Sequence, residues 1–467
     1  MELTPEARTL AGVVAVVVVL WFTEALPLAV TALVGAAACV LLGVAPAKEV
    51  FRPFADPLIF LFIGSFLLAE AFRIQRLDRR LAYAVLAVPW VGERPRRLLA
   101  AVAVVSVLTS AFISNTVTAA LMMAIVAGLV AAIEEAADAA ARPAPTFATS
   151  LYLCIAFAAS IGGLATPIGT PTNLIGLGFI RSELGVAISF PGWCALSLPV
   201  VGVLGTFAVL LLGRLFPAGV DRLAGVSRHV AAERARLGAW TVAQWSTVAA
   251  FTVTVGLWVV PGVLLGLLGQ KHPLVAWLQA RLPEGVAAIV GATLLFVLPG
   301  GRSESGRRRP VLRWKEARID WDIVLLYGGG LALGELCFST GLAAAVGAGI
   351  ERWIPAGPWA GVALVLAAAG VAALTSEFTS NVASATMVVP VVIAVARAAG
   401  GDAVLAALAA TLAASLGFMM PVSSPCNAIV YGSGRIPLRA MMAGGGILDL
   451  IGAGVIVAAM LVAARAW

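Results

Sequence analysis

The sequence predicts an all-α polytopic membrane protein, and three observations carry that prediction. The chain is 61% hydrophobic and only 12% charged, where a soluble domain is nearer a quarter charged. Apolar runs close to or above the roughly 18 residues of a bilayer span recur from end to end. Two polar motifs sit inside such runs, and both occur twice in the same order. A transmembrane β-barrel would show short alternating segments instead.

The first apolar run, Leu10 to Phe22, follows Glu2, Glu6 and Arg8, and no small-residue cleavage site comes after it. It therefore reads as a first transmembrane helix at 10–24 and not as a signal peptide. Further spans fall at 27–44, 57–73, 79–92, 149–182 (broken), 190–214, 241–263, 284–300, 322–341, 403–435 (broken) and 440–464, about 11 in all. The stretches 98–133 and 359–397 are apolar with a polar centre. Each fits two close-packed spans or a re-entrant helical hairpin with Ser-Asn at its tip. The hairpin is favoured, because non-helical backbone at membrane depth is tolerated where it lines a cavity.

Alignment of the chain with itself explains the repetition. "TSAFISNTVTAALM" (Thr109–Met122) matches "TSEFTSNVASATMV" (Thr375–Val388) at an offset of 266. "ASIGGLATPIGTPTNLI" (Ala159–Ile175) matches "AASLGFMMPVSSPCNAI" (Ala413–Ile429) at an offset of 254. Gly163 thus meets Gly417, Pro167 meets Pro421, Pro171 meets Pro425 and Asn173 meets Asn427. Upstream, Gly64 falls opposite Gly328. Each half has a glycine-marked helix, a Ser-Asn stretch and a helix broken by Pro-x-x-x-Pro-x-Asn. An odd number of spans per half would invert the second copy, a plan used by secondary transporters that bind cargo where the repeats meet.

Charge is concentrated between the spans. Residues 301–321 hold seven basic residues, and a second basic loop runs from Arg214 to Arg236. These loops read as cytoplasmic topology anchors. Their placement puts the N-terminus on the cytoplasmic side, although the cluster Arg73–Arg80 fits simple counting poorly. No folded basic domain is present for nucleic acid. The cysteines (Cys39, Cys154, Cys194, Cys337, Cys426) have no paired spacing and read as packing thiols. His229 and His272 are the only histidines and fall in loops, so neither a histidine metal cluster nor a histidine-dependent hydrolase is expected.

The motifs therefore have to work without a buried basic group. No Lys, Arg or Asp lies near them in sequence, and Glu377 is the one acid within a tip. Glu24, Glu70 and Glu335 are the other carboxylates in or beside apolar segments. Helix N-termini direct unpaired N–H groups and about half a positive charge at what lies ahead. Ser, Thr and Asn side chains donate to anionic oxygens. The same residues, with carbonyls freed at helix breaks, offer oxygen to hard cations. Ser114-Asn115 and Ser380-Asn381 can then lie between a cation and an anion and touch both. Sodium ions beside a dianion offset its large desolvation cost. Glu377 has Ala111 as its counterpart and breaks the symmetry, as a proton-sensitive group or as a helix-end cap.

"WFTEALPLAVTALV" (Trp21–Val34), Ser114-Asn115-Thr116, "ATPIGTPTN" (Ala165–Asn173) and "SEFTSNV" (Ser376–Val382) resemble the divalent-anion:sodium symporter family over nearly the whole chain. The resemblance implies 11 transmembrane helices plus two re-entrant helical hairpins, in two inverted repeats and a homodimer. It implies a scaffold part and a transport part that moves as an elevator. On this chain the parts would be 1–92 (scaffold, first repeat), 93–215 (transport, first repeat), 216–240 (cytoplasmic linker), 241–356 (scaffold, second repeat) and 357–467 (transport, second repeat). It implies that Ser114, Asn115, Thr116, Ser380 and Asn381 hold the anion, with Pro421 lining the pocket and Val382 where the first tip has Thr116. One sodium site would use Ser110, Ser114, Asn115 and a carbonyl near Ala165. The other would use Ser376, Asn381 and the Thr379 and Met419 carbonyls.

The expected function is Na⁺-coupled transport of small di- or tricarboxylates of the succinate, malate and fumarate type across the plasma (inner) membrane. The expected partners are the anion, sodium ions, lipid and a second copy of the chain, without an organic cofactor. Sodium-independent dicarboxylate exchange and sulfate transport fit the same donors. An anion channel would want a continuous charged or hydrophobically gated pore. An enzyme needs a nucleophile with an activating base, and no convincing pair is present.

Overall fold

The computed structural model describes residues 3–136, 143–302, 308–351, 357 and 359–466. Glu2 and residues 303–307 of the basic 301–321 segment lie outside the described residues. Among the described residues the fold is helical apart from one small strand pair.

The first half contains α1 (Pro5–Thr23), α2 (Leu28–Leu41), α3 (Ala47–Phe51), α4 (Pro57–Ile74), α5 (Leu77–Leu86), α6 (Pro95–Ser110), α7 (Asn115–Ala136), α8 (Pro145–Gly163), α9 (Pro171–Leu184) and α10 (Phe190–Leu215). α11 (Val226–Arg236) lies in the linker. The second half contains α12 (Val242–Leu268), α13 (Pro273–Arg281), α14 (Glu284–Val297), the pair β1 (Pro299–Arg302) and β2 (Arg308–Pro310), α15 (Trp321–Ser339), α16 (Leu342–Glu351), α17 (Ala360–Phe378), α18 (Asn381–Ala398), α19 (Ala403–Ala413), α20 (Pro425–Tyr431) and α21 (Leu438–Ala466).

Proline sets many helix starts, since its missing N–H is free at the first helical position. Pro5 follows the cap Thr4, whose hydroxyl accepts the Ala7 N–H at 3.1 Å. Pro57 follows Asp56, which accepts the Leu58 N–H at 2.8 Å. Pro171 and Pro425 open α9 and α20, so the second proline of each Pro-x-x-x-Pro motif starts a new helix where the old one has stopped.

Polar contacts define two faces. On one, Arg80 donates to the carbonyls of Leu237 and Gly238 at 2.9 Å and Ala239 at 2.7 Å. Gln75 donates to the Val311 carbonyl at 3.2 Å, and Gln244 to the Gln75 carbonyl at 2.9 Å. On the other, Arg181 pairs with Asp56, and Arg52 with Glu335 at 2.9 Å. α1, α2, α4, the broken α8–α9 and α10 pass between these faces, then α12, α14, α15, the broken α19–α20 and α21. Five passes per half invert the second half relative to the first. α6 and α7 begin and end on the linker face, where Glu134 meets Arg435 at 2.7 Å. α17 and α18 begin and end on the opposite face, where Arg397 donates to the Glu183 carbonyl. The stretches 98–133 and 359–397 are thus re-entrant hairpins entering from opposite faces.

The all-α, inverted-repeat architecture stands as the sequence predicts. Ten helices of at least 18 residues are apolar enough to cross a bilayer among the described residues, and the hairpin arms α7, α17 and α18 are among them. The chain is an integral, multi-pass membrane protein.

The segment 79–92 is not a span. α5 is only 10 residues long and carries Asp78, Arg79 and Arg80 in its first turns. Its apolar face packs on α6 and α11 at the linker face. Without that span the start of α1 lies on the face opposite the linker, where counting with 79–92 as a pass puts it on the linker face. The Arg73–Arg80 cluster also finds its place on the linker face. Arg73 pairs with Glu70 at 2.6 Å, and Arg80 closes the end of α11. His229 lies within α11, not a loop, against Gly128 of α7, and His272 caps α13. All five cysteines are free.

Candidate functional site

The first tip is built where α6 stops and α7 starts. Ser110 closes α6 and is fully buried; Asn115 opens α7. The Ser110 hydroxyl donates to Asn115 Oδ1 at 2.6 Å. The second tip repeats this: Ser376 donates to Asn381 Oδ1 at 2.8 Å, and its hydroxyl also lies 2.7 Å from the Ala414 carbonyl. Ser380 caps α18 by accepting the Ala383 N–H at 3.2 Å. A hydroxyl that donates to the amide oxygen fixes the rotamer of the Asn side chain.

Each tip rests on the break glycine of its own repeat. A Cβ on Gly163 would lie 2.4 Å from Asn115 Oδ1; on Gly417 it would lie 3.1 Å from Ser376 Oγ, 3.2 Å from the Ser376 carbonyl oxygen and 3.3 Å from Asn381 Oδ1. The first seat is tighter. The Gly163→Ala protein is therefore expected to melt at a lower temperature in detergent than Gly417→Ala. Equal melting points would contradict this seating.

The breaks themselves are braced alike. Asn173 Nδ2 donates to the carbonyls of Gly163 at 2.9 Å and Thr166 at 2.8 Å. Asn427 Nδ2 donates to those of Gly417 and Met420, both at 2.9 Å. Thr166 Oγ1 donates to the Ala111 carbonyl and joins the first break to its tip. The second repeat reverses the polarity of that tie. Glu377, at the end of α17, accepts the Met419 and Met420 N–H groups at 3.1 Å each. Glu377 therefore braces the break and does not cap its own helix.

The two halves interlock. α7 of the first hairpin packs on α20, and α18 of the second packs on α9. Phe157 of α8 meets Phe418 of the second break, ring centroids 5.2 Å apart.

The other expected site residues divide by environment. Ser114 is exposed, and Asn115, Thr116, Ser380, Met419 and Pro421 are half-buried. Asn381, Thr379 and Ala165 are buried. The Ala165 carbonyl accepts the Ser197 hydroxyl at 3.1 Å, which leaves its second lone pair. The Thr379 hydroxyl donates to the Trp21 carbonyl at 3.4 Å. Val382 packs on both apolar cores, the one around α1, α2 and α15 and the larger one.

Sequence reasoning missed Asp449. Although no Asp lies near the motifs in sequence, α21 brings Asp449 to the second break. Both its oxygens lie 3.4 Å from the Phe418 N–H, and its carboxyl contacts that of Glu377. The available signal was an acid inside a 29-residue apolar helix, a functional flag in membrane proteins.

The electrostatics are those of backbone ends. α7, α9, α18 and α20 start at the tips and breaks, and α6, α8, α17 and α19 end there. N–H donors suited to an anion therefore sit beside carbonyls suited to cations. No basic side chain falls within 106–118, 160–175, 373–386 or 413–429.

The family model described as sodium:sulfate symporter transmembrane region matches residues 1–467. The chain belongs to this family. Similar members are the sodium-dependent dicarboxylate transporters SdcS of Staphylococcus saprophyticus and Staphylococcus aureus. The first is 30% identical over 443 residues, covering 94% of this chain and 82% of the relative. The second, from strain USA300, is 30% identical over 446 residues with the same coverage. The symporter-family fold also resembles two solved transporters. YdaH of Alcanivorax borkumensis gives a TM-score of 0.58 at 16% identity, covering 92% of this chain and 88% of YdaH. MtrF of Neisseria gonorrhoeae gives 0.59 at 11% identity, covering 91% and 84%.

Proposed function

We propose that this symporter-family chain is a secondary active transporter that carries a small di- or tricarboxylate together with Na⁺. One observation carries the reading: the Ser-to-Asn hydrogen bond, seated on a break glycine, occurs in both repeats with the same partners. A single buried Ser-Asn pair is ordinary helix-to-helix bonding. Two copies, each beside helix N-termini and free carbonyls, support two cation positions around one anion. The names of the SdcS relatives support sodium and a dicarboxylate as cargo.

The residues present fit sodium chemically. Ser110, Ser114, Asn115 and the Ala165 carbonyl would serve one ion; Ser376, Asn381 and the Thr379 and Met419 carbonyls would serve the other. All are neutral oxygen donors, the set a hard cation takes. Ser114, Asn115, Thr116, Ser380 and Asn381 would donate to the carboxylates, with Pro421 at the pocket wall. Val382, wedged between two apolar cores, would contribute shape and not a hydrogen bond. With no basic side chain in the tip and break segments, the bound cations would supply the countercharge, which makes anion binding depend on sodium.

The motion we propose is an elevator. The hairpins and broken helices (93–215 and 357–467) would slide against a scaffold (1–92 and 241–356), with 216–240 as linker and a second copy of the chain across the scaffold. The interlocking of α7 with α20 and α18 with α9 supports treating the former as one moving body. Transport is then displacement of ions, with no covalent step and no organic cofactor.

Proteoliposomes test the reading. Labelled succinate uptake should rise with an inward Na⁺ gradient and fall to background when choline replaces Na⁺. Uptake driven only by internal dicarboxylate would make the protein an exchanger. Displacement of succinate by sulfate at equal concentration would move the cargo to inorganic oxyanions.

A further inference from the structure

Asn173 and Asn427 occupy the same place in the two repeats, and neither is assigned an ion in the reading above. Both are fully buried. Each uses one Nδ2 to bind two main-chain carbonyls that its helix break has freed: Gly163 and Thr166 in the first, Gly417 and Met420 in the second. Asn427 Nδ2 also lies 3.0 Å from Ser423 Oγ. In both residues Oδ1 is buried with no partner among the described residues.

That orphaned oxygen is informative. A buried unpaired amide oxygen costs free energy. A leucine of nearly the same shape would fill the space without that cost, but it would give up the two bonds to the break carbonyls. Packing alone therefore does not account for the amide, and it is retained at both positions. What the amide adds is two donors on one nitrogen, held on either side of the break. They engage the carbonyls at 163 and 166, and at 417 and 420, and skip the carbonyls between them at 165 and 419. A freed carbonyl at a helix end otherwise turns back to a nearby N–H.

We propose that Asn173 and Asn427 are positioning residues that hold the two breaks open, keep the Ala165 and Met419 carbonyls directed at the cations, and so set sodium affinity. This rests on the sodium-coupled reading. It adds that affinity is controlled by residues that touch neither cargo ion.

The experiment compares Asn173→Leu and Asn427→Leu with wild type, using Asn→Asp at each site as second variants of equal shape. Leucine removes the orphan oxygen but withdraws the amide's donors from two carbonyls at each break, so a native-like gel-filtration profile and melting transition are required of each variant before the readouts. Two readouts are taken: the Na⁺ concentration giving half-maximal succinate uptake, and the rise in melting temperature of the detergent-solubilised protein on exchanging choline for Na⁺. The expected result is at least a tenfold rise in half-saturating Na⁺ and loss of most of the Na⁺-induced melting shift. Half-saturation by succinate at saturating Na⁺ should stay within about threefold. Unchanged Na⁺ half-saturation and melting shift in the leucine variants would overturn the proposal while leaving sodium coupling intact. A fall in maximal rate alone would also overturn it, because it marks a purely structural role. Absence of any Na⁺ effect in the wild type would remove both this proposal and the reading beneath it.

Discussion

Asn381→Ala and Asn115→Ala, reconstituted at wild-type levels, are each expected to lower succinate uptake by about a hundredfold or more. In the proposed site each side chain would stand between a cation and the anion, through Oδ1 and Nδ2. A hydrogen bond to a charged group contributes about 1.5–3 kcal/mol. Loss of one contact to each ion is then about 3–6 kcal/mol, where 1.36 kcal/mol is tenfold in rate. The mutation also strands the Ser110 or Ser376 hydroxyl, whose acceptor is the missing oxygen. Ser376 keeps the Ala414 carbonyl as an alternative, and Ser110 has no second acceptor among the described residues, so Asn115→Ala should also be the less stable fold. Uptake by either variant above about a tenth of wild type would remove these residues from the site.

The second large effect is expected at Glu377. Its carboxylate is the acceptor for two successive N–H groups of the second break. Glu377→Ala leaves both without that partner, at about 1–3 kcal/mol each. It also leaves Asp449 by the break without the neighbouring Glu377 carboxyl. The Met419 carbonyl, on the residue between those N–H groups, then loses its orientation. Sodium activation should shift to at least tenfold higher concentration, with a smaller loss in Glu377→Gln, whose amide oxygen can still accept one of the two. Wild-type sodium activation in Glu377→Ala would show that the brace has no bearing on cation binding. The first repeat offers an internal control. There the tie is the Thr166 hydroxyl on the Ala111 carbonyl, a single neutral bond, so Thr166→Val should shift activation less than Glu377→Ala.

Much of this was legible in the sequence because polar residues in apolar runs are few, and repetition in register separates signal from noise. The tips at Ser114-Asn115 and Ser380-Asn381 and the breaks at Pro167 and Pro421 were found that way, and the hairpin reading of 98–133 and 359–397 followed from the need to bury irregular backbone. The role of Asn173 was hidden in plain view. The motif showed where the helix breaks, but only coordinates show which carbonyls the amide holds. Asp449 is not legible from the motifs because α21 reaches the second break from a separate part of the sequence. The segment 79–92 misled because its apolar residues pass for a short span while serving the buried face of an amphipathic helix. That one segment also changes the number of passes, and with it the face on which α1 starts relative to the linker.

The most direct test of the account asks whether cations and anion bind as one unit. Succinate-induced thermal stabilisation of the purified, detergent-solubilised protein should be measured across succinate concentrations in Na⁺ and, separately, in choline at equal ionic strength. A clear upward melting shift is expected in Na⁺ and almost none in choline, because tip and break segments without a basic side chain have no other countercharge to offer a dianion. An equal shift in both salts would contradict it.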